Sequence, residues 1–147
     1  ANGRTARSLC YLLTKFADAR VFFVAPQVVR MGDDIKAYLT RNGVQWEEST
    51  DLMETASKVD VIYQTRIQRE RFGDRVKDYQ QARGKYIIDK RILDCMKSHA
   101  IVMHPLPRVD EINADEVDED PRAAYFRQAH NGLYVRMALL RMILASN

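Results

Sequence analysis

Ala100-Ile101-Val102-Met103-His104-Pro105-Leu106-Pro107 decides how this chain folds. Four apolar residues run without interruption and stop at two prolines that flank one leucine. A run of that kind is the mark of a strand buried on both faces, because neither face then needs polar side chains. The prolines remove two backbone donors and end the strand. Working outward, Val59-Asp60-Val61-Ile62-Tyr63-Gln64-Thr65 reads as a second strand. Val21-Phe22-Phe23-Val24-Ala25, closed by Pro26, reads as a third, also buried on both faces. Val44 to Glu47 and Lys85 to Ile88 read as shorter ones. Helical patterns fill the gaps. Leu9, Leu12, Leu13 and Phe16 share a face of a helix near 5–16. Asp33 to Leu39 is followed by Asn42-Gly43, a left-handed cap. Ser49-Thr50-Asp51 can cap a helix reaching Ser57. Asp74 to Ala82, Lys90 to Lys97 and Ala123 to Ala145 complete the set. In the last, Phe126, Ala129, Leu133, Met137, Leu140 and Leu144 form one stripe.

Strands and helices therefore alternate, and the strands are apolar throughout. The pattern predicts an α/β fold: a parallel sheet covered by helices on both faces, in three layers, forming one domain over 1–147. Ligands in such sheets bind beyond the carboxyl ends of the strands. That points to 66–71 and 104–108, which follow two of them.

Composition narrows the function classes. Apolar residues are 46% and charged residues 29%, the balance of a globular chain. The net charge of +3 is too small to argue for nucleic acid. The longest apolar runs are strand length, so no membrane span is expected. Cys10 and Cys95 stand apart and form no CxxC pair, consistent with reduced apolar residues in a reducing compartment. There is no GxGxxG, no GxxxxGK[ST] and no GxSxG. His99, His104 and His130 lack metal-ligand spacing, and neither a metal nor an organic cofactor is expected.

Three stretches hold polar groups where a ligand would sit. In Thr65-Arg66-Ile67-Gln68-Arg69-Glu70-Arg71, extended geometry turns Arg66 and Gln68 to one side. A guanidinium fork and an amide together suit a carboxylate, and Glu70 is near enough to hold a guanidinium in place. Taken alone, the stretch equally fits a solvated charged loop. In His104-Pro105-Leu106-Pro107-Arg108, a cis Leu106–Pro107 bond would turn carbonyls toward a ligand. Taken alone, it also fits a proline-rich turn. Gly3-Arg4-Thr5 opens a helix, where backbone donors and Arg4 can hold an anion; an exposed basic first turn explains it as well.

In this order the three stretches resemble the aspartate carbamoyltransferase family. Thr65 through Phe72, Met103-His104-Pro105-Leu106-Pro107-Arg108-Val109-Asp110-Glu111-Ile112, Asp120 through Ala129 and Asn131 through Leu140 carry the resemblance, which covers essentially the whole chain. The H-P-L-P-R-V-D-E-I run is the most specific part, and Tyr63 through Phe72 looks most like the plant and algal form.

The resemblance implies a Rossmann-like aspartate/ornithine carbamoyltransferase domain and transfer of a carbamoyl group from carbamoyl phosphate to L-aspartate, giving N-carbamoyl-L-aspartate and phosphate, in pyrimidine synthesis. It implies that Arg4 binds the α-carboxylate of aspartate and that Arg66, with Gln68, binds the side-chain carboxylate. Glu70 would orient Arg66, and Leu106 and Pro107 would offer backbone carbonyls to the carbamoyl group, with Thr5 close by. It also implies a homotrimer for full-length members and a plastid stroma or cytoplasm for this form.

The family's S-T-R-T-R phosphate-binding motif belongs to its other domain and does not occur here. The expectation is therefore an aspartate pocket without its carbamoyl phosphate domain, inactive alone. Ala114 to Asp118 reads as a loop about one residue longer than the family's spacing. Two alternatives stand beside this reading. Ornithine carbamoyltransferase shares the fold but has H-C-L-P and an S-M-G loop. A binding or structural module descended from such a domain would keep the fold without the chemistry.

Overall fold

The computed structural model describes residues 3–66 and 84–145. Helix α1 (Arg4–Leu13) leads into strand β1 (Arg20–Val24), a short 3-10 turn (Gln27–Val29) and α2 (Asp33–Arg41). Strand β2 (Gln45–Ser49), α3 (Leu52–Ala56) and β3 (Val61–Tyr63) follow. After the undescribed stretch come α4 (Lys90–Cys95), β4 (Ile101–Met103), α5 (Ala114–Val117) and α6 (Tyr125–Leu144). The helix expected over 74–82 lies outside the described residues.

Local chemistry explains these elements. Asp51 caps α3 by accepting from the Glu54 N–H at 2.9 Å, and Asp89 caps α4 by accepting from the Ile92 N–H at 3.1 Å. Asp33 and Asp34 sit in the first turn of α2, where the helix dipole favours them. Gly43 ends that segment at φ +75°, the left-handed cap expected there.

The strands pair in parallel, as expected for an α/β fold. Among the described residues they form two pairs, β1 with β2 and β3 with β4. The β3–β4 register sets Val61 against Ile101, Ile62 against Val102 and Tyr63 against Met103. Val102 extends this pairing to Ala123, and Ile88 bridges Ile112. The strand expected over 85–88 is thus a single bridge at Ile88.

Two cores result. One gathers Ile88, Ile92, Leu93, Val102, Val117 and Tyr125 around β3 and β4. The other joins Cys10, Ile35, Leu39 and Val44 beneath β1 and β2. Both cysteines are free thiols, and burial pushes each above its ordinary pKa.

Three expectations need correction. β1 is only half-buried, because β2 is its one neighbour among the described strands. The stripe on α6 is exposed, with Leu140 at 58%. Only the start of that helix meets the core, through Tyr125. Ala114 to Asp118 is not a plain loop, since α5 buries Val117 completely.

Candidate functional site

Parallel pairing with Tyr63 opposite Met103 makes the two chains leave the sheet at the same end. Arg66 lies three residues beyond Tyr63, and Leu106 three beyond Met103. The two stretches singled out for chemistry are therefore neighbours at the carboxyl ends of β3 and β4, where a parallel sheet places its ligands. The Gln64 N–H donates to the Met103 carbonyl at 2.9 Å, prolonging the pairing to the threshold of Arg66. The Gln64 side chain donates to the Tyr86 carbonyl at 2.9 Å and fixes the strand's exit. Arg66 itself is exposed, so its guanidinium is open to an anion. Gln68 and Glu70 lie outside the described residues.

Arg4 and Thr5 occupy the first turn of α1, with Gly3 as N-cap. The first amides of a helix have no partner within it and, with the dipole, favour an anion. Tyr63 is the last residue of β3. Burial raises the pKa of its phenol, and the nearby Thr5 of α1 partly offsets the rise. The start of α1 thus lies close to the end of the sheet where Arg66 emerges.

The Leu106–Pro107 bond is cis, as the proline spacing foreshadowed. Leu106 also takes φ +50°, a left-handed conformation rare for a branched side chain. Its N–H donates to His104 Nδ1 at 2.8 Å. Because Nδ1 accepts, the ring proton sits on Nε2 and is donated to Glu111 Oε1 at 2.7 Å. Glu111 Oε2 accepts from the Val109 and Asp110 amides at 3.3 and 3.2 Å. The His104 N–H donates to Gln128 Oε1 on α6 at 3.0 Å. Burial works against the charge on Glu111, yet His104 and the backbone donors outweigh it and hold its pKa below the usual value.

Arg108 closes the loop. Its guanidinium forks onto Asp118, one arm at 2.6 Å, and lies 5.3 Å from the ring centres of Tyr125 and Phe126. The Tyr125 phenol donates to Asp118 at 2.5 Å, and burial followed by that carboxylate pushes its pKa up to about 12.

The structure therefore brings Arg66, Leu106 and Pro107 to one end of the sheet, and the first turn of α1, with Arg4 and Thr5, lies near Tyr63 at that end. Sequence reasoning missed the supporting layer of His104, Glu111, Asp118 and Tyr125. The signal available in the sequence is a histidine and a glutamate flanking the proline turn.

Comparison with known proteins shows the family. Residues 1–143 match the family model described as aspartate/ornithine carbamoyltransferase, Asp/Orn binding domain. The chloroplastic aspartate carbamoyltransferase of Arabidopsis thaliana is 68% identical over 144 residues, 98% of this chain and 37% of that protein. Its counterpart from Oryza sativa subsp. japonica is 66% identical over 98% of this chain and 39% of that protein. The catalytic subunit of M. jannaschii aspartate transcarbamoylase superposes with a TM-score of 0.89 at 40% identity, covering 99% of this chain and 48% of that one. The Trypanosoma cruzi aspartate transcarbamoylase, solved with carbamoyl phosphate, gives 0.83 at 41% identity, covering 94% of this chain and 45% of that one. The chain thus spans less than half the length of these relatives. With nearly all of its residues matched, and with the α/β scaffold in place beneath them, the chain belongs to the aspartate/ornithine carbamoyltransferase family, as its Asp/Orn binding domain.

Proposed function

We propose that this chain is the aspartate-binding half of an aspartate carbamoyltransferase. The observation that carries the proposal is the shared end of β3 and β4, where an exposed arginine stands beside a turn of fixed carbonyls. Identity of 66–68% to plant enzymes of that name supports it. Retention of His104-Pro105-Leu106-Pro107 favours aspartate over ornithine as the acceptor.

In this reading Arg4 holds the α-carboxylate of L-aspartate, while Arg66 and Gln68 hold the side-chain carboxylate. Two anionic groups gripped by guanidinium forks leave the amine aimed in one direction. Glu70 orients Arg66; its role and that of Gln68 rest on sequence alone. The Leu106 and Pro107 carbonyls accept from the carbamoyl NH₂, and Thr5 lies near the same centre. The unprotonated amine attacks the carbamoyl carbon. A C–N bond forms, the C–O bond to phosphate breaks, and the amine passes its proton to the departing phosphate. Positioning and charge stabilisation supply most of the acceleration, with no covalent intermediate on the protein.

The phosphate-binding groups belong to a second domain, so carbamoyl phosphate and that domain are the partners this half requires. Likeness to the chloroplastic relatives supports a plastid location, while a homotrimer for the full-length enzyme rests on the family resemblance in the sequence.

The test is a chimera in which this chain replaces the matching 144 residues of the Arabidopsis relative. The chimera is expected to form carbamoylaspartate, and the chain alone is expected to form none. A folded, trimeric chimera without turnover would favour a non-catalytic binding module instead.

A further inference from the structure

We infer that His104 and Glu111 are positioning residues for the carbamoyl-binding turn, acting through the backbone of Leu106. The inference rests on the function proposed above, which gives the Leu106 carbonyl its task.

The argument begins with the backbone. Leu106 sits at φ +50°, where a leucine is held only if its surroundings insist. The group that insists is the ring of His104, which accepts the Leu106 N–H at 2.8 Å. The ring must therefore present a bare Nδ1 to that amide. A neutral imidazole satisfies this in one tautomer, with its proton on Nε2. Glu111 enforces the tautomer, because its Oε1 accepts that proton at 2.7 Å.

Glu111 is in turn constrained. Its other oxygen faces two backbone N–H groups, from Val109 and Asp110. Every group around the carboxylate is a donor, so only an acceptor on both oxygens fits. An ionised carboxylate meets that requirement, and an amide does not. A glutamine here would turn its NH₂ either against the two backbone amides or against His104. In the second case the ring would exchange tautomers and set an N–H against the Leu106 N–H. The relay thus runs from backbone amides through Glu111 and His104 to the turn. It is sealed from water, with His104 only 2% exposed and Glu111 7%. It is docked on α6 by the bond from the His104 N–H to Gln128.

A residue that only stabilised the fold would not need this polarity, since a buried apolar side chain of similar size would serve better. Every donor here is spent on holding one acceptor toward the Leu106 N–H.

The experiment uses the full-length chimera with the Arabidopsis relative and three variants: His104→Phe, His104→Asn and Glu111→Gln. Asparagine keeps an acceptor oxygen near the place of Nδ1, whereas phenylalanine removes it. Per folded site, His104→Phe and Glu111→Gln are expected to lower kcat by about tenfold or more, as a slightly misplaced binding group does. KM for aspartate should change less than about threefold, because the arginines that hold it are untouched. His104→Asn should recover most of kcat even where its thermal stability stays low. Should His104→Phe fail to fold, Glu111→Gln against His104→Asn makes the same comparison. Unchanged kcat per folded site in Glu111→Gln, or equal kcat losses in the Asn and Phe variants, would overturn the inference while leaving the proposed function intact. A wild-type chimera without turnover would overturn the function, and this inference with it.

Discussion

Tyr63 and Met103 are register partners in a parallel pair, and Arg66 and Leu106 follow them by the same three residues. The sheet therefore delivers a guanidinium and a carbonyl turn to one place from stretches forty residues apart in sequence. In the proposed function one stretch holds the amino acid and the other the carbamoyl group, which makes Arg66 the residue to test first.

Arg66→Ala in the chimera should reduce kcat/KM for aspartate by roughly a hundredfold. A charge-assisted bond to a carboxylate contributes about 1.5–3 kcal/mol, and Arg66 is exposed, so its loss should not disturb folding. Steady-state kinetics with aspartate varied at saturating carbamoyl phosphate checks this. A change below about threefold would remove Arg66 from the aspartate pocket.

Tyr125→Phe probes the supporting layer. The phenol donates to the charged Asp118 at 2.5 Å from a fully buried ring. Its removal deletes that bond and the one the phenol accepts from Arg108 at 3.1 Å, while Arg108 keeps Asp118 paired. The expected loss is about 1.5 kcal/mol of unfolding free energy, read from urea denaturation at constant slope.

Glu111 gives stability an acid limb. Its pKa is held below the glutamate value of 4.5, against burial, by His104 and backbone amides. A carboxyl whose folded pKa is lowered stabilises the fold above its unfolded pKa and loses that contribution as pH falls through the folded one. Glu111→Gln should cost about 1–3 kcal/mol near neutrality. The gap between the two proteins should narrow as pH drops below about 4.5, where the wild-type carboxyl also takes up a proton. Denaturation midpoints measured from pH 7 to pH 3 test this. A gap that stayed constant would separate Glu111 from the acid limb.

Much of the scaffold was legible because burial leaves a strong mark. The runs ending at Tyr63 and Met103 are apolar and each sets its middle residue, Ile62 or Val102, in the core, and Pro105 and Pro107 announce where β4 must stop. The capping signals at Asp51 and Gly43 were legible too, because each solves a local problem of unpaired backbone groups. The supporting layer was not. His104 and Glu111 are seven residues apart with no period to link them, and their meeting depends on the turn between them. The α5 helix escaped because Ala114-Asp115-Glu116-Val117 offers one large apolar residue, too few for a periodic signal. Pattern alone also overstated β1, since an apolar run reports what a strand can bury and its neighbours decide what it does.

Gly43 isolates the backbone from packing. A Cβ added there meets nothing within 4 Å, yet φ is +75°. Gly43→Ala should therefore cost about 1 kcal/mol, all of it conformational, and Gly43→Asn should cost less because asparagine tolerates the left-handed region. Urea denaturation of both variants decides. Equal stability of the alanine variant and wild type would mean the turn has another conformation within reach.

The α6 stripe is the sharpest contrast between pattern and structure. Leu133, Met137 and Leu140 repeat at helical spacing, which usually marks a core face. Yet they are 52%, 57% and 58% exposed. An exposed leucine that touches little should be replaceable, and leucine and lysine differ little in helix propensity. Leu140→Lys in the isolated chain is expected to change unfolding free energy by less than about 0.5 kcal/mol. Ile88→Ala, at a site with no exposure, should cost about 2–5 kcal/mol by the loss of buried surface and the cavity left behind. The two variants measured side by side by denaturation test whether exposure, and not periodicity, sets the energetics of this chain. A Leu140→Lys loss above about 1 kcal/mol would mean that the stripe is covered in solution, and sedimentation of the same samples would then show whether a second copy covers it.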